Sequence, residues 1–101
     1  MIVIERMTQT IRNGKLAELE ALDKKYDPVE SRLGFPPKKR YRCLAGSQSW
    51  NTFVIERQWE SMAALETTYE RAMADPEHQA LNQEANAVIK SVQVELYGLM
   101  P

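Results

Sequence analysis

A chain of 101 residues, 44% apolar and 27% charged, has material for one core and excludes two independent ones, so a single domain over 1–101 is expected. Thirteen basic residues against fourteen acidic ones leave a net charge of -1, which excludes the broad basic field used to gather nucleic acid or anionic lipid. One cysteine, Cys43, excludes an intrachain disulfide and suits a reducing compartment.

The opening "MIVIERMTQT" is too short and too charged to be the apolar region of a signal peptide. No apolar run has the length of a bilayer span. A cytoplasmic protein without a membrane partner is expected. So small a core, with no disulfide, gains from oligomerisation.

Residues 2–9, "IVIERMTQ", are rich in β-branched side chains and predict a first strand. Alternation puts Ile2, Ile4 and Arg6 on one face and Val3, Glu5 and Met7 on the other. Asn13-Gly14 then opens a helix, because Leu16, Leu19, Leu22 and Tyr26 recur at helical spacing. It should run roughly 12–15 residues and bend or close at Asp27-Pro28, since proline disfavours helical geometry in the residue before it. Residues 29–37 read as a connector in which Leu33 and Phe35 tuck into the core.

"KKRYRCLAG" at 38–46 predicts a second strand, with Tyr41 and Cys43 opposite Arg40, Arg42 and Leu44. "GSQSWN" reads as a turn and "TFVIERQW" as a third strand, the two strands forming a hairpin. Phe53, Ile55, Arg57 and Trp59 share one face of that strand; Thr52, Val54, Glu56 and Gln58 share the other. Ser61 is placed to cap a second helix striped by Met62, Leu65, Tyr69 and Met73. Asp75-Pro76 suits the cap and first turn of a third helix, which carries Leu81, Ala85, Val88 and Ile89. "SVQVELYGL" predicts the last strand, with Val92, Val94 and Leu96 alternating with Gln93, Glu95 and Tyr97.

The order β-α-β-β-α(α)-β with right-handed crossovers predicts an α+β, ferredoxin-like antiparallel sheet of order 4-1-3-2, with its helices on one face. Ile2, Ile4, Phe53, Ile55, Val92, Val94 and Leu96 are then expected under the helices. The other face would hold Glu5, Glu56 and Glu95 on neighbouring strands, beside Arg40 and Arg42. Like charges on adjacent strands repel unless countered, so that face is either solvated or a charge-paired contact between subunits.

Candidate chemistry is sparse. His78, the sole histidine, is the natural general base or ligand near neutral pH, although a position just inside a helix start also suits a surface or structural role. Arg6 and Arg57 could bind a carboxylate or phosphate, or simply reach solvent from the strand ends. Tyr41, Trp59 and Tyr69 could line a pocket for a flat organic molecule, or only pack. Cys43 in a strand has no cause to be a nucleophile and reads as a small core residue. The basic run "KKRYR" splits across two strand faces, which argues against nucleic acid. No phosphate loop, Ser-His-Asp set or metal motif is present.

The segments "IERMTQTIRNGKLAELEAL", "NTFVIERQWESMAALE", "MADPEHQAL" and "VELYGLMP", in this order, resemble the NIPSNAP-like branch of the dimeric α/β-barrel superfamily. They cover most of the chain; the link 27–39 departs from the usual pattern. The resemblance implies a homodimer whose sheets pack face to face with helices outside and with pockets between sheet and helices. It therefore favours an interface carrying Glu5, Arg40, Arg42, Glu56 and Glu95, and a pocket drawing on Arg6, Tyr41, Arg57, Trp59, Tyr69 and His78. The superfamily also holds antibiotic-biosynthesis-type monooxygenases and haem-degrading enzymes. The latter use an Asn on the first strand with a Trp and a His; here that strand offers Glu5 and Arg6, so haem is not carried over and no cofactor is expected. The NIPSNAP-like branch brings no settled reaction. The expectation is a homodimer binding a small organic molecule, with cofactor-independent oxygenation or isomerisation as its chemistry. The alternative is a non-catalytic interaction or structural dimer.

Overall fold

The computed structural model describes residues 1–47 and 50–101. Its elements are β1 (Val3–Ile11), α1 (Leu16–Leu33), β2 (Lys38–Arg42), β3 (Thr52–Trp59), α2 (Met62–Ala74), α3 (Pro76–Ala85) and β4 (Ile89–Gly98). The strands form one antiparallel sheet in the order β2-β3-β1-β4, the ferredoxin-like order read from the sequence. The turn expected over 46–51 includes Gln48 and Ser49, which lie outside the described residues. The second strand ends at Arg42, short of the expected Gly46, and leaves Cys43 half-exposed beyond it instead of in the core.

Helix α1 runs five residues past Pro28, to Leu33. Proline removes one backbone N–H and crowds the carbonyl four residues back. Here the ring faces solvent, while Val29 and Leu33 beyond it are buried, and that burial holds the helix through the break. Gly34 ends it at φ +93, a left-handed conformation that costs glycine no Cβ clash. The Gly34 N–H donates to Ser31 O at 3.2 Å and the Phe35 N–H to Glu30 O at 3.0 Å, the paired bonds of a Schellman turn. That turn folds Phe35 back beneath the helix, beside Glu30. The other two helices start as expected: Ser61 Oγ accepts from Ala64 N at 3.1 Å, and Asp75 Oδ2 accepts from His78 N at 3.0 Å with Pro76 in the first turn.

Pairing corrects the strand phases. Val3 stands opposite Trp59, Glu5 opposite Arg57 and Met7 opposite Ile55, so Val3, Glu5 and Met7 of β1 face the helices. Ile4 and Arg6 lie on the open face opposite Gln58 and Glu56. The same correction applies to β2: Lys38, Arg40 and Arg42 pair with Arg57, Ile55 and Phe53 and face the helices, while Tyr41 pairs with Val54 on the open face. On α2 the buried stripe is Leu65, Thr68 and Ala72, with Tyr69 beside it; Met62 and Met73 at its ends are exposed. Val92, Val94 and Leu96 do share the helix-side face, but at 49%, 52% and 45% exposure they are not core. β4 is an edge strand held by its ladder to β1, and the helices leave it largely bare.

The core is in two parts. One joins Val3, Trp59, Val29, Leu33, Phe35, Leu65 and Ala72; the other joins Ile11, Phe53, Ile55, Leu19 and Val88. Along β1, β3 and α1, charged residues separate them. Because Pro28 sits on the solvent face, Pro28→Ala should restore a helical N–H and raise the unfolding free energy by roughly 1–3 kcal/mol. Urea denaturation checks this, and an unchanged or lower midpoint would mean that the proline's restriction of the unfolded chain outweighs the lost bond.

Candidate functional site

The gap between the two apolar clusters is filled by a belt of charge. Glu5, 3% exposed, accepts from Trp59 Nε1 at 3.0 Å and from the Tyr69 hydroxyl. Arg57, 4% exposed, lies 3.9 Å from Glu5 through one terminal nitrogen and donates to Glu30 through the other at 2.5 Å. Its guanidinium rests over the Phe35 ring, 4.8 Å from the centroid. Lys38 contacts Glu30 at 2.9 Å and Asp23 at 2.8 Å. Arg40 continues the line to Asp23 and to Asp27, the latter at 2.8 Å. These carboxylates lie on one side of α1 at positions 23, 27 and 30, spaced by four and three residues, so the helix presents them together to β2 and β3. Three cations of the β2 run have partners: Lys38, its side chain buried, and Arg40 are ion-paired, and Arg42 at the surface donates to Trp50 O at 3.0 Å.

Beside this belt, a cleft of about 500 Å³ opens between the sheet and helices α1 and α3. Met7, Ile55, Leu19 and Leu22 give it apolar surface, while Arg57, Glu30, Lys38, Tyr69, Tyr26, His78 and Asn82 give it polar surface. Its mouth lies along the start of β4, where Lys90, Ser91 and Val92 are exposed. A volume of this size suits a small organic ligand. Two buried polar atoms at its edge, Gln9 Oε1 and Arg57 Nε, lack a hydrogen-bond partner among the described residues.

His78 is 9% exposed, with its ring stacked on Phe35 at 6.1 Å and edge-on to Tyr26 at 5.6 Å. Burial lowers its pKa below the ordinary 6.5, with Arg57 acting in the same direction and Glu30 and Asp75 opposing. The imidazole is therefore neutral at pH 7. Burial also raises the Tyr26 phenol to about 12, and raises Tyr69 further, with Glu5 adding to the effect at Tyr69. The cleft thus presents neutral hydroxyl and imidazole groups above charges that are already paired.

The structure brings Arg57, Tyr69 and His78 together on the cleft and sets Trp59 behind them on Glu5. It does not bring Arg6 or Tyr41 there. Arg6 pairs with Glu56 at 2.8 Å on the open face and lies over the Tyr97 ring; Tyr41 is 45% exposed on that same face. Of the residues expected on the open face, Glu56 and Glu95 lie there, flanking Arg6 in the pairing. Glu5, Arg40 and Arg42 face the helices instead. Sequence reading passed over Glu30, Asp23, Lys38 and Asn82. The carboxylate spacing on α1 was a visible signal, but the expected stop at Pro28 removed Glu30 from the helix that carries it.

Comparison with solved structures places the fold. A NIPSNAP family protein from Agrobacterium tumefaciens superposes with a TM-score of 0.81 at 18% identity, over 99% of this chain and 85% of that one. The chain has the fold of the NIPSNAP proteins. A NIPSNAP domain protein from Burkholderia xenovorans is similar at TM-score 0.78 and 19% identity, over 98% of this chain and 93% of its own. SnoaB of Streptomyces nogalater, a cofactor-independent oxygenase whose mutant form was solved, gives 0.72 and 18%, over 99% and 94%. No protein-family model and no curated protein sequence matches the chain.

Two consequences are measurable. Glu5→Leu leaves Arg57, the Trp59 N–H and the Tyr69 hydroxyl without their common acceptor, and should cost about 3–5 kcal/mol in urea unfolding; a loss below about 1 kcal/mol would mean the belt re-pairs around Arg57. For His78, the folded pKa lies below the unfolded value of 6.5, so the unfolded chain takes up its proton first as pH falls. The stability from neutral burial is complete above pH 6.5 and lost as pH falls from there through the lowered folded value. Unfolding curves at about pH 7.5 and pH 5.5 should separate more for the native chain than for His78→Gln. Equal separations would mean that His78 does not carry this dependence.

Proposed function

We propose that the chain works as a homodimer, with its open sheet face as the contact, and binds a small organic molecule in the cleft between sheet and helices. The cleft carries this reading: a ligand-sized space lies at the point where Arg57, His78, Tyr26 and Tyr69 converge. Cofactor-independent oxygenation or isomerisation is the chemistry suggested by fold similarity to SnoaB, and it rests on that analogy alone. The open face supports the dimer. It sets Ile4, Val54, Tyr41 and Tyr97 around the Arg6–Glu56 pair, a mixture that packs well only if the charges stay matched. A second reading, an interaction dimer without a ligand, draws on the exposed apolar side chains of β4, Val92, Val94 and Leu96, which could instead receive a protein partner.

Native mass spectrometry of the protein isolated from its own cells tests both parts. The expected result is a dimer carrying an additional small-molecule mass. Ala85→Trp, which fills the cleft from α3, should remove that mass and leave the dimer; Val54→Glu should yield monomer. A dimer with no added mass, even when challenged with mixed aromatic and aliphatic metabolite extracts, would favour the interaction reading. A native monomer at low micromolar concentration would end the dimer proposal.

A further inference from the structure

The environment of His78 specifies more than a neutral ring. Tyr26 Oη donates to Asn82 Oδ1 at 2.7 Å. The other end, Asn82 Nδ2, then faces His78 Nδ1 at 3.3 Å. An amide nitrogen only donates, so in this orientation of the amide Nδ1 accepts, and a neutral imidazole in that state carries its proton on Nε2. The ring cannot turn freely, because it is stacked on Phe35 and bordered by Tyr26. The charged groups acting on it are Glu30, Asp75 and Arg57. Of these, Arg57 is engaged by Glu30 and Asp75 by Arg32.

From this chain of hydrogen bonds we infer that His78 serves the cleft as a donor through Nε2–H, and that the ligand presents an uncharged carbonyl oxygen to it. The inference rests on the proposal that the cleft binds a small molecule. It assigns His78 the opposite role from the general base suggested by its being the sole histidine. The uncharged class follows from the charge around the cleft. The carboxylates of Glu5, Asp23, Asp27 and Glu30 outnumber Arg57, Lys38 and Arg40, the cations paired with them, so a carboxylate ligand would enlarge a negative excess even where it met the unpartnered Arg57 Nε. The other cation on the lining, Lys90, stands at the exposed mouth. A carbonyl needs only a donor, and polarising it by a fixed N–H would favour enolisation or attack next to it.

A single histidine makes the test direct. With 15N-labelled protein at pH 8, the imidazole nitrogen shifts should report the Nε2–H tautomer. Asn82→Asp, whose carboxylate can only accept, should convert the ring to Nδ1–H. Titration with 1-tetralone, and with tetralin as the same frame lacking the carbonyl, should give roughly tenfold tighter binding of the ketone, with a shift at Nε2–H. That preference should vanish in Asn82→Asp. An Nδ1–H tautomer in the native chain would overturn the assignment. Equal binding of the two compounds would leave a working cleft and overturn only the donor role. Failure of both to bind, with the Nε2–H tautomer in place, would count against the binding proposal itself and take the ligand class with it.

Discussion

The pairing of Glu5 with Arg57 across neighbouring strands, continued through Glu30 and Lys38 to Asp23, is the interaction on which the rest of the architecture depends. It places charge in the middle of a small core and divides the apolar residues into two clusters. Buried ion pairs contribute little net stability compared with well-packed apolar residues, because desolvation offsets most of their attraction. They are strong determinants of position, because an unmatched buried charge is far costlier than a matched one. Here the belt ties β1, β3, β2 and α1 to a single relative placement. The register between Glu5 and Arg57, the phase of β2 and the contact of α1 with the sheet are all linked by the same carboxylates.

The position of the cleft follows from that arrangement. Helices α1 and α3 pack on each other, and α2 packs on β3, leaving the layer incomplete towards β4. The Schellman turn at Gly34 returns Phe35 under Arg57 and His78, so one aromatic ring supports both the cation and the imidazole. What remains is a space floored by Met7 and Ile55 and edged by hydroxyl, amide and imidazole groups. Arg57 and Lys38, the strongest charges there, are ion-paired, and Arg57 Nε is left as a donor beside the neutral groups.

Much of the fold was legible from local chemistry. Ser61 and Asp75-Pro76 announce two helix starts because their side chains and ring fit the orphan N–H groups of a first turn. The hairpin and the order of elements follow from strand spacing, and the sheet order follows from the handedness of the crossovers. The phase of β1 was not legible. Ile2 and Ile4 outweigh Glu5 in any count of hydropathy, yet Glu5 is the buried residue, because Trp59, Tyr69 and Arg57 supply its hydrogen bonds and countercharge. Those partners come from β3 and α2, more than fifty residues away. The extent of α1 was misread for a related reason: proline's local preference yielded to the burial of Val29 and Leu33.

By itself the sequence determined the elements, their order, the sheet topology and the absence of any basic field or sequence motif for metal or phosphate, because these depend on composition and on interactions within a few residues. The tertiary structure decided which faces of β1 and β2 are inside, that His78 belongs beside Tyr26 and Asn82, and that β4 stays bare. Each of these depends on partners distant in sequence. A buried carboxylate reverses the apparent polarity of a strand only where its donors converge, and alternation along one strand carries no information about them.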